Sequence, residues 1–345
     1  METEVIKVNP LAPDEAVISR AAELIRGGGL VAFPTETVYG LGANALDSAA
    51  VQKIFEAKGR PATNPLIVHV SDSESARQIV AEWPESAQRL ADRFWPGPLT
   101  LVLHRSEQIP RSVTAGGDTV GIRVPRHPVA LALLRSAAVP IAAPSANRSS
   151  RVSPTSAEHV IRSLGGRIPL VLDSGRALGG LESTVLDLTE SPARILRPGL
   201  VTATSIEEII GSLARSQDER ATAVNRSPGM MQKHYAPLAR LTLALPPDDE
   251  RLVREACERG TRVGWLSLGV AREHVDGVVS GCGPVGVHHM PEDAREYASR
   301  LYSSLHDLDQ WGAEEIIAAL PPESEEWLAI RDRLMRAAYR GNDGS

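Results

Sequence analysis

Apolar positions along the chain change period repeatedly. Residues 14–26, DEAVISRAAELIR, put apolar side chains three and four apart, which predicts an amphipathic helix capped by Asp14 and stopped by Gly27 to Gly29. LVAFP (30–34) predicts a short buried strand, followed by a Pro-Thr-Glu-Thr corner and a Gly-rich turn. Asp47 can cap a second helix, SAAVQKIFEAK, with Val51, Ile54 and Phe55 on one face. PLIVHV (65–70), LTLVLH (99–104), TVGIRVP (119–125), PIAAPSAN (140–147), PLVLD (169–173), STVLDL (183–188) and ARILRPG (193–199) read as strands. SESARQIVAEW, PESAQRLADRF and HPVALALLRSA read as helices. The short link from 183–188 to 193–199 implies an antiparallel pair inside an α/β sheet.

The pattern breaks at 214–239, ARSQDERATAVNRSPGMMQKHYAPLA, which is small, polar and Pro/Gly-punctuated. From Leu241 strands and helices alternate again: LTLALP, DDERLVREACERG, RVGWLSLG, VGVHHM, EDAREYASRLYSSLHDL, EEIIAALP and SEEWLAIRDRLMRAAYR. This spacing implies a small Rossmann-like parallel sheet. The expected organisation is an α/β domain over 1–213, a linker over 214–239 and a second α/β domain over 240–345. The segment PGMMQKHYAP gathers Lys, His and Tyr, which is unusual for an inert tether.

Charge changes the picture only locally. The net charge of −6 excludes a chain-wide nucleic-acid-binding face but leaves room for a basic cleft. Residues 1–212 carry 21 basic and 22 acidic side chains, whereas 213–345 carry 16 and 21, so the second domain holds most of the acidity. Lysine occurs only at Lys7, Lys53, Lys58 and Lys233. Cys257 and Cys282 form no CxxC pair, so neither a disulfide framework nor a zinc site is expected. No secretory signal and no apolar run near the ~20 residues of a membrane span is present, so a cytoplasmic protein is expected.

Several stretches carry polar groups where core is expected. There is no GxxxxGK[ST] loop and no GxGxxG between strand and helix, so ATP, if bound, needs another cradle. In KGRPATN (58–64), Lys58 and Arg60 lie one residue apart on backbone that Pro61 keeps non-helical. They suit either a phosphate chain or the negative end of a helix dipole. Ser145, Asn147, Ser149, Ser150 and Ser153 follow an apolar strand, as in an α/β site or an ordinary loop. His69 is either a core histidine or a ligand. Arg123, in an apolar strand, either meets an anion or points outward at a sheet edge. Ser183, Thr184 and Arg197 add hydroxyls and a cation at strand ends. His288 and His289 read as ordinary strand residues.

Taken together the motifs are specific. FPTETVYGLGANA, KGRPATNPLIVHV, WPGPLTLVL, TAGGDTVGIRVP, PIAAPSAN, RVSPT, ESTVLDL, RPG and PGMMQKHYAP occur in order over 33–237. This set closely resembles the long form of the YrdC-like threonylcarbamoyl-AMP synthase family. The resemblance implies a YrdC-like mixed, twisted sheet with helices around an open cleft, plus the smaller Rossmann-like domain. It implies a nucleotidyltransferase that makes threonylcarbamoyl-AMP and pyrophosphate from L-threonine, bicarbonate or CO2 and ATP with Mg2+. That reaction opens the threonylcarbamoyladenosine modification of tRNA, and a separate transferase complex completes it; a weak tRNA contact is also expected. The threonine site would use Thr37, His69, Arg123, the backbone at Ala143, and Ser183. The ATP site would use Lys58, Arg60, Asn64, Thr119, Ser145, Asn147, Ser153, Arg197 and Tyr235, with Lys58 and Arg60 as the catalytic cations. No resident protein-bound metal is implied. PGMMQKHYAP would act as a lid. Two other classes compete: an RNA-binding module of the same fold without adenylate chemistry, and a different carbamoyl- or acyl-adenylate enzyme. Aromatics at 4% weigh against the first.

Overall fold

The computed structural model describes residues 2–214 and 234–339. The chain divides into two compact units: among the described residues, 2–149 with 154–214, and 150–153 with 234–339. Most of the expected linker, including Pro228 to Lys233 of the expected lid, lies outside the described residues.

Elements of the first unit run β1 (Glu4–Lys7), α1 (Glu15–Arg26), β2 (Val31–Phe33), β3 (Gly40–Asn44), α2 (Ser48–Lys58), β4 (Ile67–His69), α3 (Ser73–Gln78), α4 (Glu85–Phe94), β5 (Leu99–His104), β6 (Thr119–Arg123), α5 (Pro128–Ala137), β7 (Ile141–Ala142), α6 (Ala157–Leu164), β8 (Leu170–Asp173), β9 (Thr184–Asp187), β10 (Arg194–Arg197) and α7 (Ala203–Ile210). The ten strands form one mixed sheet in the order β1-β8-β2-β3-β7-β4-β6-β5-β9-β10. The antiparallel pair expected near 183–199 is β9 and β10. Asp14 caps α1 by accepting from Ala16 N and Val17 N, and Asp47 caps α2 by accepting from Ala49 N.

The two-residue period of the strands sorts the sheet into two faces. Leu41 and Ala43 of β3, Val68 of β4, Leu99, Leu101 and Leu103 of β5, and Val120 and Ile122 of β6 point into one core. There they meet Val51 and Ile54 of α2, Leu90 of α4, Val160 of α6 and Ile206 of α7. On the opposite face α1 and α5 cover one end of the sheet, packing on Val31, Phe33, Ile141 and Leu170. Farther along that face the apolar contacts shrink to Ile67, Val102, Val185 and Leu196. The polar strand residues lie on this thinly covered stretch.

Several expectations are corrected. The Gly-rich stretch is not a turn but strand β3. Leu41 and Ala43 supply its core face, and its glycines let neighbours approach: a Cβ on Gly42 would lie 2.7 Å from Phe33 Cε1 and 2.8 Å from Ile141 Cγ2. The PIAAPSAN strand shrinks to the two residues of β7, and the SESARQIVAEW helix stops at Gln78. Strand β1 and helices α6 and α7 had no counterpart in the periodicity reading. β1 earns its place by pairing in parallel with β8 rather than by alternation of its own.

The second unit comprises β11 (Arg240–Ala244), α8 (Asp248–Glu258), β12 (Val263–Leu268), α9 (Arg272–Val279), β13 (Val285–Met290), α10 (Ala294–Trp311), β14 (Glu315–Ala319) and α11 (Leu328–Ala338). Its four strands are all parallel, in the order β11-β14-β12-β13, as expected of a Rossmann-like sheet. Val253 and Val275 of α8 and α9 pack on Val263, Trp265 and Ile317. Gly264 leaves room for Leu308 of α10 on the other face, where a Cβ would come within 2.8 Å of its side chain.

Candidate active site

Strand parity puts the predicted residues on the thinly covered face. On β4 it is His69 that shares the face of Ile67. On β6 it is Thr119, Gly121 and Arg123, and on β5 Thr100. The register aligns His69 with Arg123 across the parallel β4–β6 pair. Across the sheet on the far side of β6, Ser183 and Thr100 join hydroxyls at 2.7 Å. Small residues floor the row: a Cβ on Gly121 would stand 3.2 Å from Thr100 Cγ2.

Arg123 is buried at the centre of this row, which settles its two readings against a sheet edge. Its Nε donates to Gly97 O (3.1 Å) and its Nη1 to Thr37 Oγ1 (3.0 Å). Nη2 lies 2.6 Å from Glu36 Oε1. Thr37 Oγ1 is held in turn by Thr35 Oγ1 at 2.7 Å. Burial pushes the Glu36 carboxyl up, but the Arg123 charge, hydrogen bonding from Arg123 and backbone hydrogen bonds at Glu36 and Arg126 together outweigh it and leave the pKa below its ordinary value. His69 is pushed down to about 3, first by burial and then by Arg123, with Glu36 opposing. Its ring is therefore neutral at neutral pH, and its Nδ1 is buried with no hydrogen-bond partner among the described residues. The edge of the Phe33 ring packs against it.

A second group is held by α2 and the loop after β7. Lys58, the last residue of α2, is buried, and its Nζ donates to the carbonyls of Ser145 and Asn147. Its own carbonyl accepts from Ser149 N at 2.9 Å, so loop and helix end are laced together. Burial, and then the nearby Arg60, depress its pKa well below the lysine value. The αL conformation of Gly59 turns the chain so that Arg60 also points inward; its Nε donates to Asn64 O (3.2 Å) and its Nη2 to Pro65 O (2.9 Å). Thr119 opens β6, four residues before Arg123, or about 13 Å away along the strand. Thr119 pairs across the antiparallel β5–β6 ladder with His104.

Ala143 N donates to Ile67 O (2.9 Å), which fixes the backbone beside β4. Arg197 Nη2 donates to Ser183 O (3.0 Å) and Ser183 Oγ (3.1 Å), so a residue expected at ATP sits against one expected at threonine. Ser153 and Tyr235 fall in the second unit. There His306 Nε2 and Ser153 O lie 3.1 Å apart, and Ala236 N donates to Ser150 O (2.9 Å). Tyr235 is buried at φ 63°, with its ring stacked on Tyr302 at 5.8 Å and Arg333 5.2 Å from its centroid. Sequence reasoning missed Glu36, Thr35 and Thr100. Only Glu36 left a trace: it is the acid in the Pro-Thr-Glu-Thr corner, and a buried arginine requires an anion.

Comparison with known proteins fits this geometry. A family model described as telomere recombination matches residues 23–199, and one described as threonylcarbamoyl-AMP synthase, C-terminal domain, matches 201–339. The threonylcarbamoyl-AMP synthase of Pyrococcus abyssi is 44% identical over 95% of this chain and 96% of its own length. The chain belongs to the threonylcarbamoyl-AMP synthase family. A second member, from Bacillus subtilis, is 43% identical over 95% of this chain and 94% of its own. The solved structure of P. abyssi Sua5 complexed with L-threonine superposes with a TM-score of 0.87 at 42% identity, covering 97% of this chain and 98% of that one. As in the family resemblance, both the mixed sheet and the smaller parallel sheet are present. Among the described residues no helix is long and apolar enough to cross a membrane. No group of three or more His, Cys, Asp or Glu side chains there could hold a metal ion.

Proposed function

We propose that this chain makes L-threonylcarbamoyl-AMP and pyrophosphate from L-threonine, bicarbonate or CO2 and ATP. The supporting observation is two groups of buried polar side chains in the first unit: Arg123 beside the neutral His69 on the sheet, and Lys58 with Arg60 at the end of α2. Threonine lies over the first group: its carboxylate on Arg123, its hydroxyl near Thr37 and His69, its backbone flank along Ala143, and Ser183 closing the row. ATP lies over the second, with its phosphates on Lys58 and Arg60 and its polar edges on Asn64, Thr119, Ser145 and Asn147. Arg197, beside Ser183, serves the end where the two substrates meet. Mg2+ brought with ATP would supply further positive charge for the phosphates beside Lys58 and Arg60.

The threonine nitrogen forms a bond to the carbon of bicarbonate or CO2, losing water or protons, and becomes an N-carboxylate. An oxygen of that carboxylate then bonds to the α-phosphorus while the α–β bridging bond breaks. Several anions converge, so fixed positive charge in a dry site supplies most of the stabilisation. The attacking carboxylate needs no base at that step, and neutral His69 is too weak a base to hold a proton there. Alignment of the two anions by the two groups supplies the rest. The product passes in the cytoplasm to a tRNA threonylcarbamoyl transferase complex, which modifies adenosine at tRNA position 37, with a weak tRNA contact to this chain.

Incubation of the purified chain with ATP, Mg2+ and bicarbonate, with and without L-threonine, tests this. Threonine-dependent pyrophosphate release and an AMP adduct of matching mass are expected. Threonine-independent turnover would reassign the substrate, and salt-dependent RNA affinity without turnover would favour the RNA-binding reading.

A further inference from the structure

The Arg123 pocket contains a charge that the reaction above does not use. Glu36 sits in the loop between β2 and β3, with its side chain only 14% exposed. Neither of its carboxylate oxygens has an aligned hydrogen-bond partner among the described residues, and the same holds for Arg123 Nη2 and His69 Nδ1. The 2.6 Å contact between Glu36 Oε1 and Arg123 Nη2 is a buried ion pair, and the Arg123 side chain together with the backbone at Glu36 and Arg126 keeps the carboxyl ionised. A cationic donor, an anionic acceptor and an imidazole are thus buried in one neighbourhood. Their proximity is also electrostatic, since both Arg123 and Glu36 act on the charge of His69.

We infer that Glu36 is the specificity-determining residue that receives the α-ammonium of the amino-acid substrate, opposite Arg123 on its α-carboxylate. This rests on the reading of threonine as substrate. The argument is one of charge conservation in a buried site. Arg123 and Glu36 together are neutral, and so is an amino-acid zwitterion. Laying one dipole against the other satisfies every charge without adding a net one. A ligand with a carboxylate but no ammonium brings a net negative charge and leaves Glu36 facing it. A carboxylate that Arg123 keeps ionised is suited to be a counter-ion and is a poor proton store. Its role is therefore recognition and orientation of the nitrogen that will be carboxylated.

The test compares L-threonine with its α-hydroxy analogue, in which OH replaces the ammonium, by calorimetric binding to the full chain. Wild type is expected to prefer threonine by about 10- to 100-fold, the scale of a hydrogen bond to a charged group. In Glu36→Gln that preference collapses towards unity while ATP affinity stays within about two-fold. Glu36→Asp keeps the charge and retains part of the preference. The assignment is overturned if Glu36→Gln keeps the wild-type preference, if it weakens both ligands equally, or if wild type does not discriminate. Should Glu36→Gln fail to fold, the wild-type ratio and Glu36→Asp still decide. Failure of the substrate reading is separate: wild type would then show no threonine-dependent pyrophosphate release.

Discussion

In the first unit, buried cations rest on backbone carbonyls: Lys58 on Ser145 and Asn147, Arg60 on Asn64 and Pro65, Arg197 on Ser183. In the second unit, charge is paired within the protein: Glu315 takes Arg240, Arg259 and the Thr242 hydroxyl, and Arg333 takes Asp332. A carbonyl dipole holds a cation in place while cancelling little of its charge, so the field stays available to an incoming phosphate. An ion pair cancels its own field at close range. Charge placed for chemistry and charge placed for structure thus differ by partner rather than by burial. Arg123 belongs to both kinds: carbonyl-held at Nε and ion-paired at Nη2.

This contrast is testable, starting with the largest effect. Arg60→Ala should lower pyrophosphate release by about 100- to 1,000-fold, as loss of a preorganised stabiliser does, with the defect traced to ATP in steady-state kinetics. Arg123→Met should raise the threonine KM by about 100-fold, because truncating one member of a buried charge pair costs several kcal/mol. The same variant strands Glu36 and should destabilise the fold by about 3–5 kcal/mol in denaturant unfolding. Arg123→Met/Glu36→Gln should regain stability without regaining threonine binding. If Arg60→Ala and Arg123→Met weaken ATP equally, the two groups do not divide the substrates.

A third effect follows from His69. Its pKa in the folded chain, about 3, lies below the usual 6.5. The unfolded chain therefore binds a proton at a pH where the folded chain does not. Stability from this site is full above about pH 6.5 and falls by about 1.4 kcal/mol per pH unit as pH drops towards 3. His69→Gln should flatten that limb in pH-dependent unfolding; an unchanged acid slope would show that the ring is not buried neutral. The smallest effect is expected from Glu315→Gln in the second unit. Its arginine partners are more than half exposed, so the loss should be about 1 kcal/mol or less, with both KM values unchanged.

How far the sequence discloses this depends on the range of the interaction. Caps at Asp14 and Asp47 act within one turn and were legible. So was the placement of His69 on the face of Ile67, opposite Leu66 and Val68. Strand β3 was not, because its glycines mimic a turn until Phe33 and Ile141 are seen to need their space. Lys58 by spacing alone read as a basic residue complementing a helix C-terminus, since its burial depends on Ser145 and Asn147, 87 and 89 residues away. Glu36 as the partner of Arg123 is likewise a contact across 87 positions that no local pattern encodes. The set of motifs points to one group of polar residues that the fold buries; no single motif does.

The ends of the ten-strand sheet have a consequence for how the protein behaves in concentrated solution. A broad sheet of apolar strands invites edge-to-edge association wherever its margin is long and flat. Here both margins are strands of four residues. On one, Glu4 is clasped by Arg20; on the other, Arg194 and Arg197 flank a break in register beside Ile195. Such short, charged and irregular margins offer a second chain little ladder to extend. The fold can thus carry ten strands without becoming a template for aggregation.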